Sequence, residues 1–510
     1  MKLMAFFISA LVGFVSLSSE ILWVRVISYS FFTLPQAFGL VLIIFLIGIS
    51  LGSLYGKNYC TRDDNSLYKI SFYLLGFSAL VDILFLALSV YVASINQNIL
   101  LLGIFTFAVF FCAFFKSMVF PIVHHIGSNS SNNIGKKVSF IYFGNILGSF
   151  LGPIITGFIL LDIFTTFETF ILLICMTFIV GIISLVMSKK FDIKSFAFIF
   201  LVIASIILLG TYLINTPISN FIFMKKSEYK IDSSIENKNG IIDIFKDERN
   251  NSVVFGSGMY DGMMNIDLEN NQNKIERAYI LSILHDNPKK VLLIGLSTGS
   301  WLQVIVGFPS VEEIKVIEIN PGYIELIKNN KFSKLLNSPK IKFITDDGRR
   351  WLKKNPDEKF DSIVMNTTFH YRSNTSNLLS YEFFELAQSR LNKKGFLFFN
   401  ATGSDEAFKT VNLVFKNTFK YMNCIIATDT NIAFDYQKAF LDIARIRGMD
   451  KQPIFDIKKK KDINLINSIL REPIVPYQNV FSDKDSDILI IKDTDPVNEY
   501  KRGFLYQIFN

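Results

Sequence analysis

Seven apolar stretches, near residues 3–19, 36–56, 70–92, 99–123, 138–161, 167–187 and 195–214, fill the first part of this chain of 510 residues. Crossing the hydrocarbon core of a bilayer takes about 20 helical residues. Backbone in hydrocarbon must satisfy its own hydrogen bonds, so runs of this length are expected to fold as a helical transmembrane bundle. The first stretch, MKLMAFFISALVGFVSLSS, also has the outline of a secretory signal: a lysine, an apolar core, then small residues. Apolar residues continue past Glu20 to Phe32, so a retained helix is expected.

Glycines four apart in GISLGSLYG and GNILGSFLGP let neighbouring helix backbones approach closely, which reads as helix packing before any ligand groove. Charges at membrane depth need a reason. Most of Glu20, Arg25, Asp82, Lys116, Asp162 and Glu168 fall near span ends, where snorkelling suffices. Glu20, Trp23, Arg25 and Asp82 are expected to pair across helices ahead of lining a polar path.

Charge crowds the rest of the chain. The net charge of +8 forms no stripe of Arg and Lys interleaved with aromatics, so no nucleic acid partner is expected. Cys60, Cys112, Cys175 and Cys424 lie far apart, and His124, His125, His285 and His370 form no ligand cluster, so no metal is expected.

From about 228 to 268, alternating polar and apolar residues with Gly and Asn turns suggest a small hairpin subdomain. A helical segment, KIERAYILSILHD, precedes a regular alternation: strands VLLIG, IKVIEIN, IKFIT, FDSIVMN and GFLFFN separated by helices, and later strands CIIAT and DILIIKD. That order implies a mostly parallel, doubly wound sheet. The predicted organisation is a transmembrane helical domain over 1–215, a hairpin subdomain and linker over 216–275, and an α/β domain over 276–510. The tail beyond about 430 either closes over a substrate or completes the sheet.

Ligands of such sheets sit beyond the carboxyl ends of the strands. Gly295 and Gly299 bracket the first strand–helix turn, where missing side chains let a ligand approach the backbone. Glu318 ends the second strand, where an acid accepts hydrogen bonds from both ribose hydroxyls. Asp346 and Asp347 end the third, where an acid receives an adenine amino group. Each alone reads equally as a solvated carboxylate or a helix cap. Three in order, each at a strand end, point to an adenosine pocket.

The segments VLLIGLSTGSW, VEEIKVIEINPGYIELIK, ITDDGRRWL, KFDSIVMNTT and SYEFFELAQSRLNKKG together resemble the spermidine synthase family, a branch of the class I methyltransferase (Rossmann-like) fold. The resemblance runs from about 240 to 400. It is closest to members with an amino-terminal multispan domain, because SEILWVRVISY, LIIFLIGISLGSLYG and VSFIYFGNILGSFLGPIITGFILL look like their membrane segments. It implies that Glu318 and Asp347 hold the ribose and adenine of decarboxylated S-adenosylmethionine. Two positions depart from the family. Thr298 stands where an aspartate pairs with the donor ammonium, and Asn366 stands where an aspartate takes the proton from the attacking amine. An amide is no general base near neutral pH. Loss of the first acid makes the loop compatible with ordinary S-adenosylmethionine, whose carboxylate that acid would repel.

After the fourth strand, NTTFHYRSNTSNLLS offers replacements: His370 as a base, Tyr371 to flank a substrate and Arg372 to clamp an anionic group. His370 reads as readily as a loop histidine with a satisfied hydrogen bond. Tyr260 and Asp261 of GMYDG fall in the subdomain that covers the acceptor in the family; Asp261 either holds an amine or caps the turn before Gly262.

The expected function is a membrane-anchored transferase with an S-adenosyl donor, aminopropyl transfer to a polyamine or related amine being the prototype. Methyl or aminocarboxypropyl transfer to a membrane-associated acceptor is the alternative within that class. A solute transporter with a catalytically silent nucleoside-binding domain is the alternative outside it. The expected partners are the lipid bilayer, a small-molecule acceptor and a second copy as a homodimer. Lys57, Arg62, Lys69, Lys136, Lys137, Lys189, Lys190 and Lys194 fall on one face against Arg25 on the other, so the first face and the N-terminus are expected to be cytoplasmic in a bacterial inner membrane. Seven spans then deliver the soluble half outside, whereas nucleoside sulfonium donors are made in the cytosol, and the sequence leaves its side open.

Overall fold

A computed structural model describes residues 2–31, 33–94, 98–128, 133–213, 230–285, 287–367, 369–431, 434–481 and 485–500. Most of the expected linker, 216–229, lies outside the described residues. The chain divides into two compact units, Met1–Ile241 and Ile242–Gly503.

The first unit contains seven helices long and apolar enough to cross a membrane. They are α1 (Lys2–Ser30), α2 (Pro35–Gly56), α3 (Asp64–Ser94), α4 (Asn98–Ser128), α5 (Ile134–Ile155), α6 (Thr166–Ser188) and α7 (Ile193–Leu213). A π-helical turn, Thr156–Leu160, extends α5. Pro35 opens α2 at a position where its missing N–H is not needed. Thr165 and Glu168 form a reciprocal capping box on α6, which gives Glu168 a structural role.

The spaced glycines do what their spacing predicts. A Cβ on Gly52 would lie 2.2 Å from the Phe114 carbonyl oxygen of α4, and one on Gly148 would lie 1.8 Å from the Ala10 oxygen of α1. Trp23 is buried between Phe105 and Phe170. Large apolar side chains of α2, α5 and α7, such as Ile43, Phe150 and Phe200, remain exposed.

Asp82 pairs across helices, but with Lys116 (3.4 Å). Lys116 is fully buried mid-way along α4 and does not snorkel; its ammonium also donates to Ser19 Oγ (2.8 Å) and Cys112 Sγ (2.9 Å). The sequence shows apolar runs but not which buried polar atoms face one another, so this cluster was not legible in it.

The lysine-bearing loops share one end of the unit, where Lys69 pairs with Asp192 and Lys190 with Asp63. After α7, strand β1 (Lys230–Asn237) returns to the other end. There Glu236 accepts from Thr166, Lys238 pairs with Asp162, and Arg25 donates to the Gly240 oxygen.

In the second unit, β2 (Gly240–Lys246), β3 (Ser252–Gly256) and β4 (Met259–Met263) form an antiparallel meander. The main sheet contains β5 (Lys290–Ile294), β6 (Glu313–Glu318), β7 (Ile341–Thr345), β8 (Phe360–Met365), β9 (Leu391–Asn400), β10 (Asn417–Tyr421), β11 (Cys424–Thr428) and β12 (Ile474–Pro476). Its order is β12-β10-β11-β9-β8-β5-β6-β7. The block from β9 to β7 is parallel, and β11, β10 and β12 continue it antiparallel. Strand order therefore reverses between β5 and β8, the switch point at which doubly wound sheets open a crevice. Helices α8 (Ser300–Ile305), α9 (Gly322–Lys328) and α10 (Gly348–Lys354) follow β5, β6 and β7.

One local expectation needs correction. DILIIKD is not a strand: Ile491 is fully buried, but Lys492 and Asp495 make only an isolated bridge. The antiparallel end is built instead by NTFKY and IVP, whose short runs carry no alternation long enough to read. The tail does complete the sheet, through β12, and it also braces the loop after β8: Glu499 accepts from the Asn374 and Ser376 amides (2.9 Å each), and Asp493 pairs with Arg349.

Candidate active site

The turn after β5 is shaped by three left-handed residues, Gly295 (φ 84°), Ser297 (φ 50°) and Gly299 (φ 76°). A Cβ on Gly295 would meet the Asn366 carbonyl oxygen at 2.6 Å, so this glycine lets the ends of β5 and β8 close on each other. Glu318, at the end of β6, is 5% exposed. Its Oε2 accepts the Leu296 amide (2.7 Å) and its Oε1 the Asn320 amide (2.9 Å). Burial pushes its carboxyl up to about 7 against the pull of those two amides, and the nearby Asp261 charge adds to the rise.

Asp346 and Asp347 lie at the end of β7. Asp346 pairs with Arg350 one turn on, and Asp347 caps α10 by accepting the Arg350 amide (2.7 Å). The capping role expected as an alternative is therefore real for Asp347, yet both acids also line a cavity of about 410 Å³ with Gly295, Glu318 and Asn366. A second cavity, about 310 Å³, is lined by Tyr260, Gly262, Thr298, Phe369, Asn400 and Thr402 among others. The two share Asp261, Ser297, Asn366 and Thr367.

Asp261 is held by the Tyr323 hydroxyl and faces Arg372. Burial nevertheless raises its carboxyl above the ordinary range. Arg372 is spent against Asp261, Tyr323 and Tyr371, and it lines neither cavity. His370 and Tyr371 also lie behind the wall: His370 Nδ1 is 2.8 Å from Thr402 Oγ1, and Tyr371 is buried edge-on to the imidazole. Thr298 Oγ1 binds Ser300 Oγ (2.9 Å) and the Met263 oxygen (3.3 Å), tying the turn to β4. Structure thus brings together Gly295, Glu318, Asp346, Asp347, Asn366 and Asp261, places Tyr260 and Thr298 in the second cavity, and sets His370, Tyr371 and Arg372 behind it. Tyr323, Lys274 and Arg277 were not foreseen; Tyr323 sits in the helix after Glu318, where a sequence gives no sign of which face points inward.

Comparison with known proteins decides the family of this unit. Residues 278–433 match the family described as Spermine/spermidine synthase domain. The second unit carries a spermine/spermidine synthase domain. A polyamine aminopropyltransferase of Thermococcus kodakarensis is 26% identical over 190 residues, covering 33% of this chain and 65% of the relative. One from Thermococcus onnurineus is 34% identical over 124 residues, covering 24% of this chain and 43% of the relative. This chain thus spans about half to two thirds of the curated relatives it matches. A solved spermidine synthase in complex with the transition state analogue AdoDATO aligns at 20% identity and a TM-score of 0.38, over 46% of this chain and 89% of that one. Outside the spermine/spermidine synthase domain the chain adds the seven long apolar helices.

Proposed function

We propose that the protein is a membrane-anchored aminopropyltransferase. The observation that carries this reading is the pair of cavities meeting at Asp261, Ser297, Asn366 and Thr367. The larger holds an S-adenosyl donor, with Glu318 on the ribose hydroxyls and Asp347 near the purine. The smaller holds an amine. Its nitrogen attacks the propyl carbon bound to sulfur, the carbon–sulfur bond breaks, and its electron pair neutralises the sulfonium, releasing methylthioadenosine. The new ammonium loses its proton to a carboxylate. Asp261 is the one carboxylate among the described residues that lines both cavities, and it supplies the acid chemistry that Asn366 and Thr298 lack. Rate acceleration rests on alignment and proton removal. The exposed apolar faces of α2, α5 and α7 meet lipid. Incubating the full chain with decarboxylated S-adenosylmethionine and an amine tests the reading: methylthioadenosine release is expected, and donor binding without release contradicts it.

One observation favours a second reading. Glu236 and Lys238, which follow α7 within the first unit, contact Thr166 and Asp162 at the end of that unit opposite the lysine-bearing loops, which the positive-inside rule makes the outer face. A nucleoside-binding unit outside the cytosol fits a sensor attached to a solute transporter better than an enzyme. Cysteine labelling at Lys238 in intact cells separates the two: protection from an impermeant reagent supports the transferase, and labelling supports the transporter.

A further inference from the structure

We infer that the amine acceptor carries an anionic group. This rests on the transferase reading above and names the substrate class of its second cavity. Two cations, Lys274 and Arg277, line that cavity and not the donor cavity, together with Asn400 and Asn423. Arg277 donates to the Lys274 oxygen (2.9 Å), the Asn273 oxygen (2.8 Å) and Asn423 Oδ1 (3.1 Å), and lies over the Trp301 ring. It also reaches the Cys424 thiol, which burial pushes up to about 11 and so keeps neutral. Every one of these partners is uncharged. The neighbouring Glu276 accepts from Asn271 instead, and among the described residues no carboxylate ion-pairs with Arg277 or Lys274. The guanidinium is therefore fixed in place without a direct carboxylate partner among the described residues.

Among the described residues the only acid lining the cavity is Asp261, at the wall shared with the donor cavity. A dication would meet Asp261 with one ammonium and two like charges with the other, which disfavours it. An amine bearing a carboxylate or a phosphate meets complementary charge at both ends.

Equilibrium titration of the detergent-solubilised full chain, without donor, tests this with three probes: 1,4-diaminobutane, 4-aminobutyrate and phosphoethanolamine. At least one anionic probe is expected to bind about tenfold or more tightly than the diamine, and Arg277→Gln should erase that preference. The two anionic arms tell carboxylate from phosphate. Lys274→Gln, at an exposed position, should reduce the preference and serves if Arg277→Gln does not fold. Equal or tighter binding of the diamine, no binding of either anionic probe, or a preference unchanged in both variants overturns the inference. So does a preference for carboxylated over decarboxylated S-adenosylmethionine that Arg277→Gln abolishes, which would assign the cations to the donor. Failure of the chain to bind any donor counts against the transferase reading alone, because amine binding is read separately.

Discussion

Glu318 Oε2 accepts the backbone amide of Leu296 at 2.7 Å, so the acid at the end of the second parallel strand and the glycine turn after the first form one rigid corner. The transferase proposal puts the donor ribose at this corner. Because burial raises the Glu318 carboxyl to about 7, the donor-free protein carries it substantially protonated near neutral pH. Ribose hydroxyls favour the ionised form, so binding should release up to one proton. Donor affinity should rise from pH 6 to pH 8, and calorimetry in buffers of different ionisation enthalpy should register the proton. The stability sign is opposite. An acid whose folded value exceeds its unfolded value stabilises the fold at low pH, and that contribution is lost as pH rises from about 4.5 toward 7.

Gly295→Ala should damage the same corner. The left-handed backbone alone disfavours a side chain by about 1–2 kcal/mol, and the new Cβ would meet the Asn366 oxygen at 2.6 Å. A lower melting temperature together with weaker donor binding is expected; wild-type behaviour in both would show that β5 and β8 are not closed as described.

Asp261→Asn should lower turnover by about 10²- to 10⁴-fold while sparing donor affinity, as expected for loss of a proton acceptor. In the parent protein the rate should climb with pH through the raised Asp261 value, and this limb should vanish in the variant. A pH–rate profile that keeps the limb in Asp261→Asn assigns the base elsewhere.

Much of this was legible in the sequence, for reasons that differ by element. Seven long apolar helices were readable from uninterrupted apolar length, and the helices observed overlap all seven predicted runs, the first continuing to Ser30. Glu318, Asp346 and Asp347 were readable because a parallel strand fixes where its end lies. The loop after β8 was not. Its own spacing singled out His370, Tyr371 and Arg372, but Thr402, Asp261 and the tail residues Asn498 and Glu499 decide how that loop turns, and all are distant in sequence. The partners of Lys116 were not readable either, because Asp82 and Ser19 belong to other helices.

Lys116→Met should destabilise the helical unit by about 3–5 kcal/mol, because it leaves Asp82 buried without its counter-charge. Adding Asp82→Leu should restore most of that loss. Denaturation in detergent of the single and double variants measures both, and additive losses would contradict a coupled pair.

The most direct measurement of the central claim is equilibrium binding of decarboxylated S-adenosylmethionine to the full chain and to its Glu318→Ala variant. Saturable binding by the parent that weakens about 100-fold or more in the variant is predicted, consistent with loss of buried hydrogen bonds to a charged group. Binding that survives Glu318→Ala unchanged, or no binding by the parent, contradicts an adenosyl pocket at this switch point.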